Sequence, residues 1–316
     1  MDPLKTPVRN RLISSKVTIP ASPLMKNLGY GTGVSVYELN RASPSNKTHS
    51  PWAIKKVSNH NRNKNVLMKR LCDEASVLKQ LKHPNIVGFR AFTTDTSGIT
   101  CLAMEACSAS LGDLIETRYE NGQPAFEPDC ILKVAIDVAD ALNYLHNDAK
   151  IVHCDIKSYN ILVKGDFEVC KLCDFGVTLP LNPDGTVDKK TFEDNNSPGT
   201  LPWMAPETLT NDIVSDKSDI YSYGIVIWEM LALVPPPLQE EDYSLLDDSE
   251  MSLDDSDCLN IRKIGSRPQL PPQEFGKEYN HVLELFHCCT EEDPSLRPKA
   301  SDLVLIVKRM NECLKD

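Results

Sequence analysis

Residues 153–160 read "HCDIKSYN". Asp155 stands five residues before Asn160, with Lys157 between them. Moving a phosphoryl group calls for three side-chain chemistries: a carboxylate to orient a hydroxyl nucleophile and take its proton, an amide oxygen for a metal ion, and a cation on the group being transferred. Asp155, Asn160 and Lys157 supply these in one short stretch. A polar turn draws on the same residue types, so the neighbours must decide. Downstream, "DFG" (174–176) follows an apolar run and offers a second carboxylate, Asp174, for Mg2+, a hard cation that prefers oxygen ligands. "APE" (205–207) closes the intervening segment.

Upstream, "LGYGTGVSVYEL" (28–39) is Gly-rich and then alternates apolar and polar residues as a strand does. Its glycines allow backbone N–H groups to approach phosphates. The Gly-Lys-Ser/Thr of a Walker loop is missing, and a strand follows where a dinucleotide fold needs a helix. A lid between antiparallel strands remains, with Gly29, Gly31 and an early third glycine, Gly33, flanked by Leu28 and by Val36 in an apolar slot. "PWAIKKV" (51–57) is a second strand carrying Ala53 and Lys55. Glu74, in the helical pattern "VLMKRLCDEASVLKQL" (66–81), is within reach of Lys55 as an ion pair.

Residues 1–22 read as a flexible, proline-punctuated arm, 23–105 as a β-rich unit with one main helix, and 106–316 as an α-rich unit. The expected class is α+β. The formal net charge is −11, and residues 239–257 hold nine acidic residues and no basic one, so the remainder carries −2. That balance argues against direct nucleic-acid binding, and the acidic insert is expected to be disordered. Eleven cysteines without a scaffold spacing, behind a polar start, "MDPLKTPVRN", predict free thiols in a reducing compartment, cytoplasmic and nuclear. "CKLC" (170–173) has no second pair and reads as strand thiols. "YGIVIWEMLALV" (223–234) is too short to span a bilayer and contains Glu229, so it predicts a buried core helix and no membrane association.

In order and spacing, these motifs resemble those of eukaryotic protein kinases over residues 24–312. The resemblance implies the bilobal kinase fold, ATP and Mg2+ as cofactors, and protein substrates. It implies that Asp155, Lys157, Asn160, Lys55 and Glu74 are catalytic and that Asn160 and Asp174 hold Mg2+. ATP would lie against Leu28, Gly29, Gly31, Gly33, Val36, Ala53 and Lys55, with Met104 as gatekeeper and Glu105 to Cys107 as the hinge. Leu78, Phe89, His153 and Phe175 would form a spine between the lobes. Asp219 would prop the catalytic loop, and Arg297 would pair with Glu207. Lys157 resembles the Ser/Thr and dual-specificity branches, in which Thr200 bridges Asp155 and Lys157.

Further stretches, including "HSPWAIKK", "CLAMEACSASLGDLIE" and the acidic insert, resemble a mitotic, MAP-kinase-kinase-like branch. This implies MAP kinases and mitotic proteins as substrates, with Tyr as an additional acceptor. The charge of the insert reads first as a solvated loop and second as a docking strip for a basic segment, such as a MAP-kinase docking groove or a histone tail. "TPVR" (6–9) suits an upstream cyclin-dependent kinase at Thr6. That branch ends in an apolar PDZ-domain ligand, whereas this chain ends "NECLKD", which speaks against PDZ binding. Cys154 stands where many kinases carry an arginine that is neutralised by an activation-loop phosphate. Without that cation, loop phosphorylation is expected to matter less. The alternative is a pseudokinase scaffold; the presence of Lys55, Asp155, Asn160 and Asp174 disfavours it.

Overall fold

The computed structural model describes residue 19 and residues 26–31, 34–40, 51–57, 64–188, 190–191, 199–211, 213–237 and 266–313. Thr6, Gly33, the acidic insert and the C-terminal "LKD" lie outside these. The chain begins with a five-stranded antiparallel sheet ordered β1-β2-β3-β5-β4. Its strands are β1 (Lys26–Gly31), β2 (Val34–Leu39), β3 (Trp52–Val57), β4 (Phe89–Thr94) and β5 (Thr100–Glu105). One helix, α1 (Lys64–Leu78), lies between β3 and β4.

Alternation along β3 sorts its residues between two cores. Ala53 and Val57 join the main cluster with Leu102 and Met104, whereas Trp52 and Ile54 pack on the opposite face with Cys101, Ala103 and Ile19. Ile19, the one described residue of the expected N-terminal arm, is buried there, and its carbonyl accepts from the Thr96 N–H at 3.0 Å. The same alternation separates two adjacent lysines. Lys55 faces α1, while Lys56 pairs with the buried Asp95 at 2.7 Å and lies over the Tyr37 ring. A slip of one residue would exchange them.

The rest of the chain is rich in helices: α2 (Leu111–Glu120), α3 (Pro128–Tyr144), α4 (Pro206–Asn211), α5 (Asp216–Ala232), α6 (Asn280–Cys289) and α7 (Ala300–Cys313). Short strands β6 (Ala109–Ser110), β8 (Ile161–Lys164) and β9 (Val169–Leu172) form a small sheet, and β7 (Ile151–Val152) pairs with β10 (Leu179–Pro180). The result is the α+β architecture expected of a kinase: an N-terminal antiparallel sheet with one helix, then a helical part. Helix α5 is central, with fourteen of its seventeen residues buried. It starts from a capping box at Ser215, whose side chain and that of Ser218 satisfy each other's backbone N–H groups. Among the described residues, no helix is long and apolar enough to cross a membrane.

Candidate active site

The spacing of α1 places Leu71, Glu74, Ala75 and Leu78 on its buried stripe, so Glu74 enters the interior beside β3. Lys55 Nζ lies 2.9 Å from Glu74 Oε2 and 2.9 Å from Asp174 Oδ1. Burial pulls the Lys55 ammonium toward neutrality, but Asp174 and Glu74 outweigh it and hold the proton above its ordinary range. Burial likewise opposes ionisation of Asp174, yet Lys55 first, then Lys157, keep its carboxyl below the usual value. Asp174 has a φ of 63°, in the left-handed region that Asp tolerates. The turn there accompanies a split in direction: Asp174 points to Lys55, and Phe175 is buried against the His153 ring at 5.0 Å.

Three anchors hold the 153–160 loop. Asp219 on α5 accepts from the N–H groups of His153 (2.8 Å) and Cys154 (3.0 Å) and contacts His146 Nε2 at 2.8 Å. His153 Nδ1 faces the Asp155 N–H at 3.2 Å, so its proton sits on Nε2, which donates to the Cys173 carbonyl at 3.0 Å. The Asn160 amide donates to the carbonyl and to Oδ2 of Asp155, both at 2.8 Å. Both amide hydrogens are thereby used, while Oδ1 has no partner among the described residues and is not a sealed orphan.

Asp155 is also tied to the segment ahead of "APE". Thr200 Oγ1 donates to Asp155 Oδ1 at 2.6 Å and accepts from Lys157 Nζ at 2.6 Å, while Lys157 Nζ lies 3.2 Å from Asp155 Oδ2. Glycine is required just before Thr200. At Gly199 φ is 127°, and a Cβ there would sit 2.8 Å from the Cys154 carbonyl oxygen. Further along, Arg297 grips Glu207 in a two-pronged pair at 2.7 and 2.8 Å.

Other expected residues fall as follows. Ala53 and Met104 are register partners on β3 and β5 and are buried. Val36 partners Lys55 across β2 and β3 and is half-buried, and Leu28 is exposed. Gly29 and Gly31 lie on β1. Leu78, His153 and Phe175 are fully buried, whereas Phe89 is only partly so. The Glu105 side chain contacts Lys164 (3.3 Å) and Lys171 (3.2 Å), which leaves only its backbone for a hinge role. Among the described residues, the Cys107 N–H has no hydrogen-bond partner. Cys154 is half-buried and packs on Val152, Leu179 and Val214. Burial first, then Asp219 and Asp155, push its thiol well above the ordinary value, so it is a poor thiolate.

Sequence reasoning read "PGTLPW" (198–203) as a platform for a protein substrate but gave Gly199, Trp203 and Glu229 no individual role in the site. Glu229 was visible as a carboxylate inside an apolar run. It accepts from Ser158 Oγ and Trp203 Nε1, both at 2.7 Å.

This donor set fits a magnesium–nucleotide. It has hard oxygens at Asp174 and Asn160, cations at Lys55 and Lys157 for phosphates, and an available N–H at Cys107 for a base edge.

Residues 23–305 match the protein kinase domain family. The chain is 45% identical over 295 residues to the lymphokine-activated killer T-cell-originated protein kinase of Homo sapiens, covering 91% of this chain and 90% of that one. It is 27% identical over 250 residues to the serine/threonine-protein kinase STY17 of Arabidopsis thaliana, and 28% identical over 243 residues to the dual specificity protein kinase shkD of Dictyostelium discoideum. Those stretches cover 79% and 77% of this chain, but only 38% and 29% of the two relatives.

Proposed function

The chain belongs to the protein kinase family, and from that premise we propose that it transfers the γ-phosphoryl group of Mg-ATP to Ser and Thr hydroxyls of protein substrates. The observation that carries this reading is the orientation of Asp155: Thr200, Lys157 and Asn160 hold its carboxylate while the Lys55–Glu74–Asp174 chain of charges is closed. A scaffold that only binds nucleotide has use for that chain of charges but not for a carboxylate held as Asp155 is.

The roles follow from the contacts. Lys55, steadied by Glu74, presents its ammonium to the α- and β-phosphates. Asp155 orients the acceptor hydroxyl and takes its proton. Lys157 faces the group in transfer. Asp174 and the Asn160 Oδ1 would hold Mg2+, which would supply positive charge to neutralise the phosphates. Backbone groups of Glu105 to Cys107 meet the base, and Val36 and Ala53 enclose it. Fixed groups aimed at developing charge need no reorganisation during transfer.

The branch assignment is part of the same proposal. The extent of similarity to the lymphokine-activated killer T-cell-originated kinase supports the branch read from the sequence. On that reading the substrates are MAP kinases and mitotic proteins in cytoplasm and nucleus, with Tyr as a secondary acceptor. Control rests on Thr6 and partners more than on a loop phosphate. The apolar packing of Cys154 against Val152, Leu179 and Val214 supports this, because position 154 itself brings no cation to receive a phosphate.

The test is radiolabel transfer to a Ser/Thr/Tyr peptide library by wild type and Asp155→Asn. Loss of labelling by at least about a hundredfold is expected, the scale of general-base contributions. Equal labelling would remove Asp155 from the mechanism. No labelling by wild type, with nucleotide still bound, would favour the scaffold.

A further inference from the structure

A long connection runs from Asp174 to Thr200, and each end serves the site: Asp174 contacts Lys55, and Thr200 contacts Asp155. Its first part is docked. Leu179 and Pro180 pair with Val152 and Ile151 of β7, and the next N–H, that of Leu181, donates to the Lys150 carbonyl at 2.9 Å. The chain then closes a tight turn. The Asn182 N–H donates to the Thr186 carbonyl (2.8 Å), and the Gly185 N–H donates to the Asn182 carbonyl (2.9 Å). Asp184 Oδ1 accepts from the N–H (3.0 Å) and the hydroxyl (2.7 Å) of Thr186.

This turn lies against the start of α5. Thr186 forms an antiparallel bridge with Ser215, the N-cap of the helix. The Val187 N–H donates to the Val214 carbonyl at 3.0 Å, and the Asp216 N–H donates to the Gly185 carbonyl at 2.9 Å. The first N–H groups of a helix have no acceptor inside it. Ser215 takes that of Lys217, and the turn takes that of Asp216. The approach is close: Gly185 has a φ of 86°, and a Cβ there would sit 3.0 Å from Asp216 Oδ1. Beside the turn, Leu181 and Val187 pack with Cys154 on the buried Val152, Leu179 and Val214. These residues form a small cluster apart from the main core, and it joins β7, the connection and the chain just ahead of α5.

The docking is made of backbone hydrogen bonds and apolar contacts. Residues 179–188 hold no Lys, Arg or His; their charges are Asp184 and Asp188, and Asp216 brings a third carboxylate to the turn. A phosphate on this stretch would meet like charge. Both surfaces beneath the turn lead to the site. Strand β7 runs into the 153–160 loop, and α5 carries Asp219, which accepts from the N–H groups of that loop.

We propose that Leu181 and Val187 are positioning residues for transfer to peptides: the turn they bracket pins the connection from Asp174 to Thr200 onto β7 and the start of α5, and so keeps Thr200 on Asp155 without a phosphate. This rests on the kinase reading above.

The test uses the phosphatase-treated full chain, read by hydrogen exchange at the Val187 and Asp216 amides, peptide kcat and KM, affinity for ATP without metal, and Tm. Both amides should be protected in wild type. In a Leu181→Ala/Val187→Ala double variant and in Gly185→Ala, that protection and peptide kcat/KM should each fall by about tenfold or more. ATP affinity, which rests on Lys55, Glu74 and the hinge, should stay within about threefold. The conservative Val187→Ile should keep both protection and transfer within about threefold of wild type. Thr186→Asp adds a carboxylate beside Asp184, Asp188 and Asp216, so transfer should fall there too, the reverse of what an acidic residue does where it stands in for an activating phosphate. Unprotected amides in wild type, full transfer by the double variant despite lost protection, or a rise in transfer by Thr186→Asp would each overturn the proposal. So would losses in transfer and ATP affinity that are equal and track Tm, which would make the turn an element of stability alone. Wild-type transfer that is present before phosphatase and gone after it would overturn the proposal as well, whereas no transfer before or after would strike the kinase reading itself.

Discussion

Replacing Glu207 by Gln deletes one charge and leaves the shape of the side chain almost intact. Its partner, Arg297, has a side chain with no solvent exposure. In the native pair, Nη1 and Nη2 each donate to one carboxylate oxygen, and the guanidinium stacks over the Tyr221 ring at 4.9 Å. Gln keeps one acceptor and turns an NH2 toward the other donor, so a buried cation loses its counter-charge. Breaking such a pair from one side costs about 3–5 kcal/mol. At about 2 °C per kcal/mol for a domain of this size, Tm should fall by about 6–10 °C. The loss cannot be repaired by removing the charge altogether. Arg297 also donates to the carbonyls of Glu291 (2.7 Å), Lys217 (3.0 Å) and Glu292 (3.3 Å). In a Glu207→Leu/Arg297→Met double variant those three carbonyls lose their donor, at about 1 kcal/mol each, and Tm should still fall by about 6 °C. Differential scanning fluorimetry on the three proteins is sufficient. A Glu207→Gln variant within 2 °C of wild type, or a double variant as stable as wild type, would refute the reasoning.

Two further outcomes are expected. Phosphatase treatment should leave most wild-type activity in place but should silence Cys154→Arg, whose new cation needs a phosphate; equal silencing of both would show that the apolar packing of Cys154 does not order the loop. The buried Glu229 carboxyl binds its proton more tightly in the folded chain than in the unfolded one, with a folded pKa of about 7. Its contribution to stability therefore declines as pH rises from the ordinary carboxylate range to about 7, and levels off above it. Glu229→Gln lacks that decline. Its Tm relative to wild type should climb between about pH 5 and about pH 8, and a flat difference across that window would contradict the burial argument.

How far this was legible in the sequence depends on the range over which each feature acts. The α+β order, the Gly-rich hairpin and the helix bearing Glu74 follow from local period and turn chemistry, which are written in consecutive residues. Lys55 and Lys56 show the limit. The text "IKK" offers two lysines, and only strand alternation against α1 decides which one meets Glu74 and which one meets Asp95. Thr200 was legible only through family likeness, because its contact with Asp155 spans 45 residues. Glu229 was read as an obstacle to membrane insertion, since nothing within reach of it along the chain reveals its partners, 71 and 26 residues away.

That miss has a physical cause that bears on how the site works. A helix buried on nearly all sides needs no carboxylates for its own folding, and each one it buries opposes folding until something hydrogen-bonds it. In α5, the groups that satisfy Asp219 and Glu229 are contributed mainly by the 153–160 loop and the 199–203 segment. Satisfying the helix and placing the loops are thus one event. The loops gain a rigid floor, and the helix gains the donors that make its buried charges tolerable. Loosening either loop leaves a buried acceptor short, so a disordered site carries a stability cost in the core beneath it. The geometry around Asp155 is held by that coupling as much as by the contacts Asp155 makes itself.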